Sequence, residues 1–173
     1  DKDKVVYWPQ YAEDFYHPVE RKDVPEIPDD GRFKIIFTGN IGEAQGLDIL
    51  PKVARLVDDS VCFVLVGNGR YKEQLIKEIE DVKEKFIFIE RQPAERIPEL
   101  LAACDVAFLS FMENPLFEKT IPAKLQSYMA CGMPILASAS GETKRIIEEA
   151  QCGICCELGN AEQLSKSIVL LKQ

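Results

Sequence analysis

The 173-residue chain has one histidine and one tryptophan, and no apolar stretch approaches the roughly 18 residues needed to span a bilayer. Every apolar run is cut by charge, so no membrane-spanning helix is expected. Asp1 to Lys4 are polar and charged, so no signal peptide is expected there either. Basic residues are in deficit: 21 Lys and Arg against 29 Asp and Glu leave a net charge of −8. Binding a phosphate backbone needs a basic face, which argues against a nucleic-acid partner. A small phosphorylated ligand, needing only a few local donors, stays allowed.

Scarce histidine also bears on the six cysteines, Cys62, Cys104, Cys131, Cys152, Cys155 and Cys156. A closed zinc site takes four Cys or His ligands, usually as two spaced pairs. The Cys152-Gly-Ile-Cys155-Cys156 cluster has no second pair, and His17 is remote, so no metal is expected. Reduced thiols and a cytoplasmic location follow, without a disulfide framework. Cys62 and Cys104 lie in or beside apolar runs and should pack as small hydrophobes.

Several nucleotide-site motifs are missing as well. The stretch Gly39-Asn-Ile-Gly42-Glu-Ala-Gln-Gly46 lacks G-x-G-x-x-G spacing, and the apolar run before Gly67-Asn68 does not end in an acid. No G-x-x-x-x-G-K-[ST] is present, no receiver-type carboxylates follow the first or third apolar run, and no D-x-D cluster stands at a strand end.

What is present is 46% hydrophobic and 29% charged residues, enough for one α/β domain with a sizeable core. Residues 1–32 read as a lead-in and interdomain linker: a short strand at Val5-Val6-Tyr7-Trp8, then Pro9, Pro18, Pro25, Pro28 and Gly31, which sustain neither helix nor ladder. From Phe33 the pattern becomes regular. Strands are expected at 33–38, 61–66, 86–89, 105–110, 134–137 and 153–156. Helices are expected at about 47–57, 71–83, 98–103, 122–130, 142–149 and 161–171. Pro98 and Pro122 open their helices, and Gly132 ends one. Fully apolar strands alternating with helices imply a Rossmann-like, doubly wound sheet of about six parallel strands covered on both faces. Ligands of such sheets bind outside the carboxyl ends of the strands. That singles out the loops 39–46, 67–70, 90–93 and 111–122, the last leading into a helix whose N-terminus suits a diphosphate.

Three segments then carry a resemblance: Thr38-Gly-Asn-Ile-Gly-Glu-Ala-Gln-Gly-Leu-Asp48, Val64-Leu-Val-Gly-Asn-Gly69 and Ile121-Pro-Ala-Lys-Leu-Gln-Ser-Tyr-Met-Ala-Cys-Gly-Met-Pro-Ile-Leu-Ala137. In this order they resemble family 4 glycosyltransferases of the GT-B fold, above all the fucosamine-transferase-like group acting in O-antigen and capsule synthesis. That group writes G-N-I-G-x-x-Q-G-L where other members write G-R-x(4)-K-G. The resemblance implies the nucleotide-sugar-binding C-terminal domain, at 33–173, of a two-domain enzyme whose acceptor domain precedes this chain. It also implies retaining transfer from a nucleotide-diphosphate sugar, UDP ahead of GDP, to a polysaccharide or lipid-linked acceptor, without cofactor or metal. The full-length enzyme would work in the cytoplasm, peripherally at the inner face of the membrane.

Carried over by position, Gly39, Asn40 and Gln45 lie by the phosphates, with Gly67 and Asn68 beside them. Arg91 and Gln92 edge the base. Thr120, Ile121, Pro122 and Lys124 meet the diphosphate, and Glu118 and Lys119 are the catalytic candidates at the sugar. Two departures stand out. The family commonly has glutamates at the positions of Lys119 and Ser127, so the carboxylate that binds the ribose is absent and Ser127 takes its place. Asn40 and Gln45 replace the basic pair of the broader family.

Each feature also has a plainer explanation. Glycines punctuate most strand-to-helix loops, and Glu118 with Lys119 suits a solvated surface pair. Lys124 sits against the helix dipole, which a nearby anion would relieve, and the sequence does not choose between Lys119 and Lys124 as the inward-facing cation. Tyr128 and Met129 read as core, and His17 as part of the lead-in. A nucleotide-binding module that is regulatory or catalytically degenerate stays open beside the enzyme, as does a scaffold without ligand.

Overall fold

The computed structural model describes Lys4, Val6 and residues 10–173. The strand expected at Val5–Trp8 falls outside the described residues except for Val6, which is in no strand. Six strands form one sheet: β1 (Phe33–Thr38), β2 (Val61–Val66), β3 (Phe86–Ile89), β4 (Val106–Ser110), β5 (Ile135–Ser138) and β6 (Gly153–Cys156). Their order is β3-β2-β1-β4-β5-β6, and every pairing is parallel. The chain runs outward from β1 to β3, then returns to the other side of β1 with β4. That reversal opens a crevice at the carboxyl ends of β1 and β4.

Alternation along the strands sends successive side chains to opposite faces. Ile36, Val64, Val66, Ala107 and Leu109 pack with Leu100, Leu101, Leu125, Tyr128 and Ile147. These come from α3 (Ile97–Ala102), α4 (Ala123–Ala130) and α5 (Gly141–Glu149). Ile35, Phe37, Phe63, Leu65 and Phe108 pack with Leu50, Val53, Leu75, Leu164 and Ile168. Those belong to α1 (Leu50–Leu56), α2 (Lys72–Glu78) and α6 (Ala161–Leu171) on the opposite face. β2 is buried along its whole length, as its unbroken apolar run requires. Cys62 and Cys104 are buried in the first cluster.

Three helices depart from the sequence pattern. The one expected over 47–57 starts as a 3-10 turn, Leu47–Ile49, and becomes α-helical at Leu50. Pro51 then falls in the first turn, where its missing N–H costs nothing. The one expected over 71–83 ends at Glu78 and continues as a kinked 3-10 segment, Glu80–Lys85. There Val82 leaves helical geometry (φ −132°) and packs against the second cluster, a tertiary contact that overrides propensity. Pro122 is extended (φ −73°, ψ 140°) and precedes α4 instead of forming its first residue.

The lead-in does more than wrap the surface. Val24 and Ile27 form an isolated bridge and are both buried in the core. Arg21 pairs with Asp105 at 2.9 Å and Arg96 with Glu26 at 2.8 Å, fastening the segment to β4 and to the start of α3. Among the described residues no helix is long and apolar enough to cross a membrane.

Candidate functional site

A cavity of about 620 Å³ opens at the carboxyl ends of β1 and β2, bounded by the segment after β3 and by the first turns of α4. Its floor is backbone. Past the strand ends the ladder continues, with Gly39 N–H donating to the Val66 carbonyl (2.9 Å) and Ile41 N–H to the Asn68 carbonyl (2.9 Å). Gly67 (φ +144°) makes this possible, because a Cβ there would lie 1.9 Å from the Gly39 oxygen. Only glycine lets the two loops approach so closely, so Gly67 has a packing role beyond turning the chain. Asn68 is held by its own loop, its Oδ1 accepting from Gly69 N–H (2.8 Å).

The loop after β1 is braced from its other side. Ser110 Oγ donates to the Gln45 carbonyl (2.5 Å), and Met112 N–H donates to the Ala44 carbonyl (3.2 Å). Gly46 (φ +59°) sits against the Phe111 backbone. These contacts fix Gln45 so that its Oε1 accepts a hydrogen bond from Lys124 Nζ.

Lys124 is the electrostatic centre of the site. Its Nζ lies 4.1 Å from the centroid of the Phe37 ring and against Gly39. The stem is partly exposed, but the ammonium is enclosed, and burial pushes its pKa down to about 7. Among the described residues no carboxylate pairs with it. The ammonium is held by an amide oxygen and a ring, and burial disfavours its charged form. Tyr128 holds α4 in place: its buried hydroxyl accepts from Thr38 N–H (2.9 Å) and shares a hydrogen bond with Thr38 Oγ1 (3.2 Å). Burial pushes the phenol up to about 12, so it stays a neutral partner at all ordinary pH.

Gly39, Asn40, Gly67, Asn68, Arg91, Gln92, Lys124 and Ser127 all line this cavity, and Gln45 reaches it through Lys124. Gln92 is pinned, receiving Arg96 Nη1 (2.6 Å) and donating to the Glu90 carbonyl (3.0 Å). Thr120, Ile121 and Pro122 lie outside the lining, in the segment that enters α4. Thr120 bonds the Leu116 carbonyl (2.8 Å), and its own carbonyl accepts from Thr143 (3.1 Å). Glu118 and Lys119 are exposed on the 3-10 turn Phe117–Lys119, also outside the cavity. Of the two lysines, Lys124 is the one that faces in.

The family model described as "Glycosyl transferases group 1" matches residues 19–173, which include all six strands and every cavity-lining residue except Tyr16. The chain belongs to the glycosyl transferases group 1 family. Among the relatives of this family member is WcaI of Escherichia coli (strain K12), named as a colanic acid biosynthesis glycosyl transferase. It is 27% identical over 178 residues, spanning 96% of this chain and 43% of WcaI. HepE of Anabaena, in complex with UDP-glucose, superposes with a TM-score of 0.71 at 21% identity, covering 82% of this chain and 39% of that one. The C-terminal domain of the group 1 protein LpcC from Francisella tularensis gives a TM-score of 0.71 at 19% identity, over 91% of this chain and 85% of that domain. These likenesses show a shared GT-B-type fold, and the chain spans less than half the length of the curated relatives it matches.

Three lining residues escape the sequence pattern, Tyr16, Ala94 and Ile97. Tyr16 lies in the lead-in, before the family match begins, and nothing local marks it. Gly69 also lines the cavity, and it was legible as the end of the Gly67-Asn68-Gly69 run.

Proposed function

We propose that this chain is the donor-binding half of a glycosyltransferase and that the cavity holds the nucleoside diphosphate of a UDP-sugar. The observation that carries the reading is the enclosed Lys124 ammonium, placed against Gly39 without a carboxylate partner. A diphosphate there meets a charge-assisted bond and the free N–H groups of the first turn of α4. The uracil and ribose extend toward Arg91, Gln92 and Ser127, and Glu118 and Lys119 stand beside the donor sugar at the turn before α4. Neutralising the leaving diphosphate with fixed donors is the electrostatic contribution this half makes to transfer.

The remaining parts of the reading concern the whole protein. An acceptor domain preceding this chain closes the cleft, and transfer proceeds with retention to a polysaccharide or lipid-linked saccharide at the cytoplasmic face of the membrane. Support comes from the coverage of WcaI and of the LpcC domain, and from the colanic acid role in the name of WcaI. The motif loops favour the O-antigen and capsule group within the family. A second reading, nucleotide binding without turnover, is favoured by the exposure of Glu118 and Lys119 outside the cavity. Transfer of a labelled sugar by the full-length protein separates the two.

The test of the site is calorimetry with UDP, GDP and uridine on wild type and Lys124→Met. UDP should bind, and the variant should lose about 1.5–3 kcal/mol toward it, the range for a hydrogen bond to a charged group. Uridine, lacking phosphates, should bind both alike. Equal UDP affinity in the two proteins would remove Lys124 from the site.

A further inference from the structure

Two segments that meet only in the fold, the lead-in and the turn before α3, share one guanidinium. Arg96 belongs to the 3-10 turn Ala94–Arg96, and its neighbours Ala94 and Ile97 line the cavity. Its own side chain is outside that lining. Both of its terminal nitrogens meet Glu26 of the lead-in, Nη1 at 2.8 Å and Nη2 at 2.9 Å, the bidentate arrangement that gives an Arg–carboxylate pair a defined geometry. Nη1 also donates to Gln92 Oε1 (2.6 Å), and Gln92 does line the cavity. Glu26 is itself fixed in place. Val24 and Ile27 on either side of it are buried, and Ile27 N–H donates to the Val24 carbonyl (2.9 Å).

A guanidinium has donors only, so the end of the Gln92 amide that faces it must be the oxygen. The amide nitrogen is thereby turned to the Glu90 carbonyl (3.0 Å). With one lone pair and one N–H occupied, the amide keeps one of each, in a fixed order. A fixed order tells one base edge from another, whereas an untethered amide can turn over and offer either. We propose that Arg96 is a positioning residue for base recognition: clamped by Glu26, it fixes the orientation of the Gln92 amide, so that the lead-in helps set which base the cavity accepts. The proposal rests on the donor-binding reading above and adds to it a dependence on two residues outside the cavity lining.

Calorimetry of UDP, GDP and inorganic diphosphate decides it, on wild type, Arg96→Met, Glu26→Gln, Gln92→Leu and the double variant Arg96→Met/Gln92→Leu. Methionine keeps much of the stem and removes the donors, and glutamine keeps the shape of Glu26 and removes its charge. Arg96→Met should reduce the preference between UDP and GDP by about fivefold, within the range of one net hydrogen bond, and Glu26→Gln should shift it the same way. Inorganic diphosphate, which has no base, should bind these proteins alike. In Gln92→Leu the preference should already be low, and adding Arg96→Met should lower it no further. If Arg96 merely fastens the lead-in, both nucleotides will weaken together, or the preference will fall again in the double variant. Either result overturns the proposal, as does an unchanged preference in both Arg96→Met and Glu26→Gln. Should wild type bind UDP and GDP equally while Lys124→Met binds neither, the base relay falls and the donor site stands. A wild-type chain that binds none of the three ligands overturns both.

Discussion

At the scale of single residues, the site turns on where one proton resides. Lys124 has its pKa pushed down to about 7 by burial, while an anion placed against it favours the charged form and raises that value. Binding therefore takes up a proton when the pH lies above about 7. A UDP-sugar is the right probe, because its phosphodiesters do not titrate in this range. At pH 8, calorimetry of UDP-glucose in buffers of different ionisation heat should report uptake of close to one proton, and affinity should fall as the pH rises from about 7. Lys124→Met should show neither the uptake nor the pH dependence. Without ligand the same group acts on stability. Its folded pKa lies below the ordinary 10.5, so between about 7 and 10.5 the unfolded chain holds the extra proton. Stability should then rise with pH across that window in wild type relative to Lys124→Met, as followed by denaturant melts; a parallel pair of curves contradicts the enclosed ammonium.

At the scale of elements, the site depends on the joint between α4 and the end of β1. Tyr128 makes that joint, and its hydroxyl satisfies the backbone N–H of Thr38 in the core. Tyr128→Phe leaves that donor buried without a partner, at a cost of about 1–3 kcal/mol in unfolding free energy. The same change should weaken UDP binding, because the helix carrying Lys124 and Ser127 loses its tie to the loop carrying Gly39. An unchanged midpoint in urea contradicts this role. The two loops of the floor are coupled as tightly. Gly67→Ala places a methyl group 1.9 Å from the Gly39 oxygen and asks alanine to adopt φ +144°. We expect a loss of at least about 2 kcal/mol of stability from this strain, measured by chemical denaturation.

At the scale of the molecule, charge and coverage set the expectations. The net charge is −8, yet the cavity presents an unpaired cation, so attraction for an anionic donor is local and does not extend over the surface. Because Lys124 and backbone donors meet the diphosphate in this reading, UDP binding should survive EDTA with unchanged affinity. Loss on chelation and recovery with Mg²⁺ or Mn²⁺ would contradict it. The chain covers 43% of WcaI. We therefore expect this chain to bind donor without transferring sugar, and activity to appear when the preceding part of the full-length protein is present. Transfer by the chain alone, at the rate of the full-length enzyme, would contradict the two-domain reading.

Local pattern in the sequence was sufficient for the sheet: six apolar runs lie where the strands lie, the first two stopped by Gly39-Asn40 and Gly67-Asn68-Gly69, and strict alternation with helices made the sheet parallel. The loops that bound the cavity were legible for the same reason, since ligand sites of such sheets gather at the carboxyl ends of strands. Packing between distant segments decided the rest. α2 stops at Glu78 because Val82 finds a place in the core, which helical periodicity cannot register. Lys124 and not Lys119 enters the cavity because Tyr128 and Gln45 set the rotation and depth of α4, whereas Lys119 is carried on an exposed turn. Tyr16 reaches the cavity because Val24 and Ile27, buried in the core, draw the lead-in back over the domain. Periodicity and turn chemistry act over a few residues and are written in the sequence itself; which side chains share a cavity is settled only when separate elements bury surface against one another.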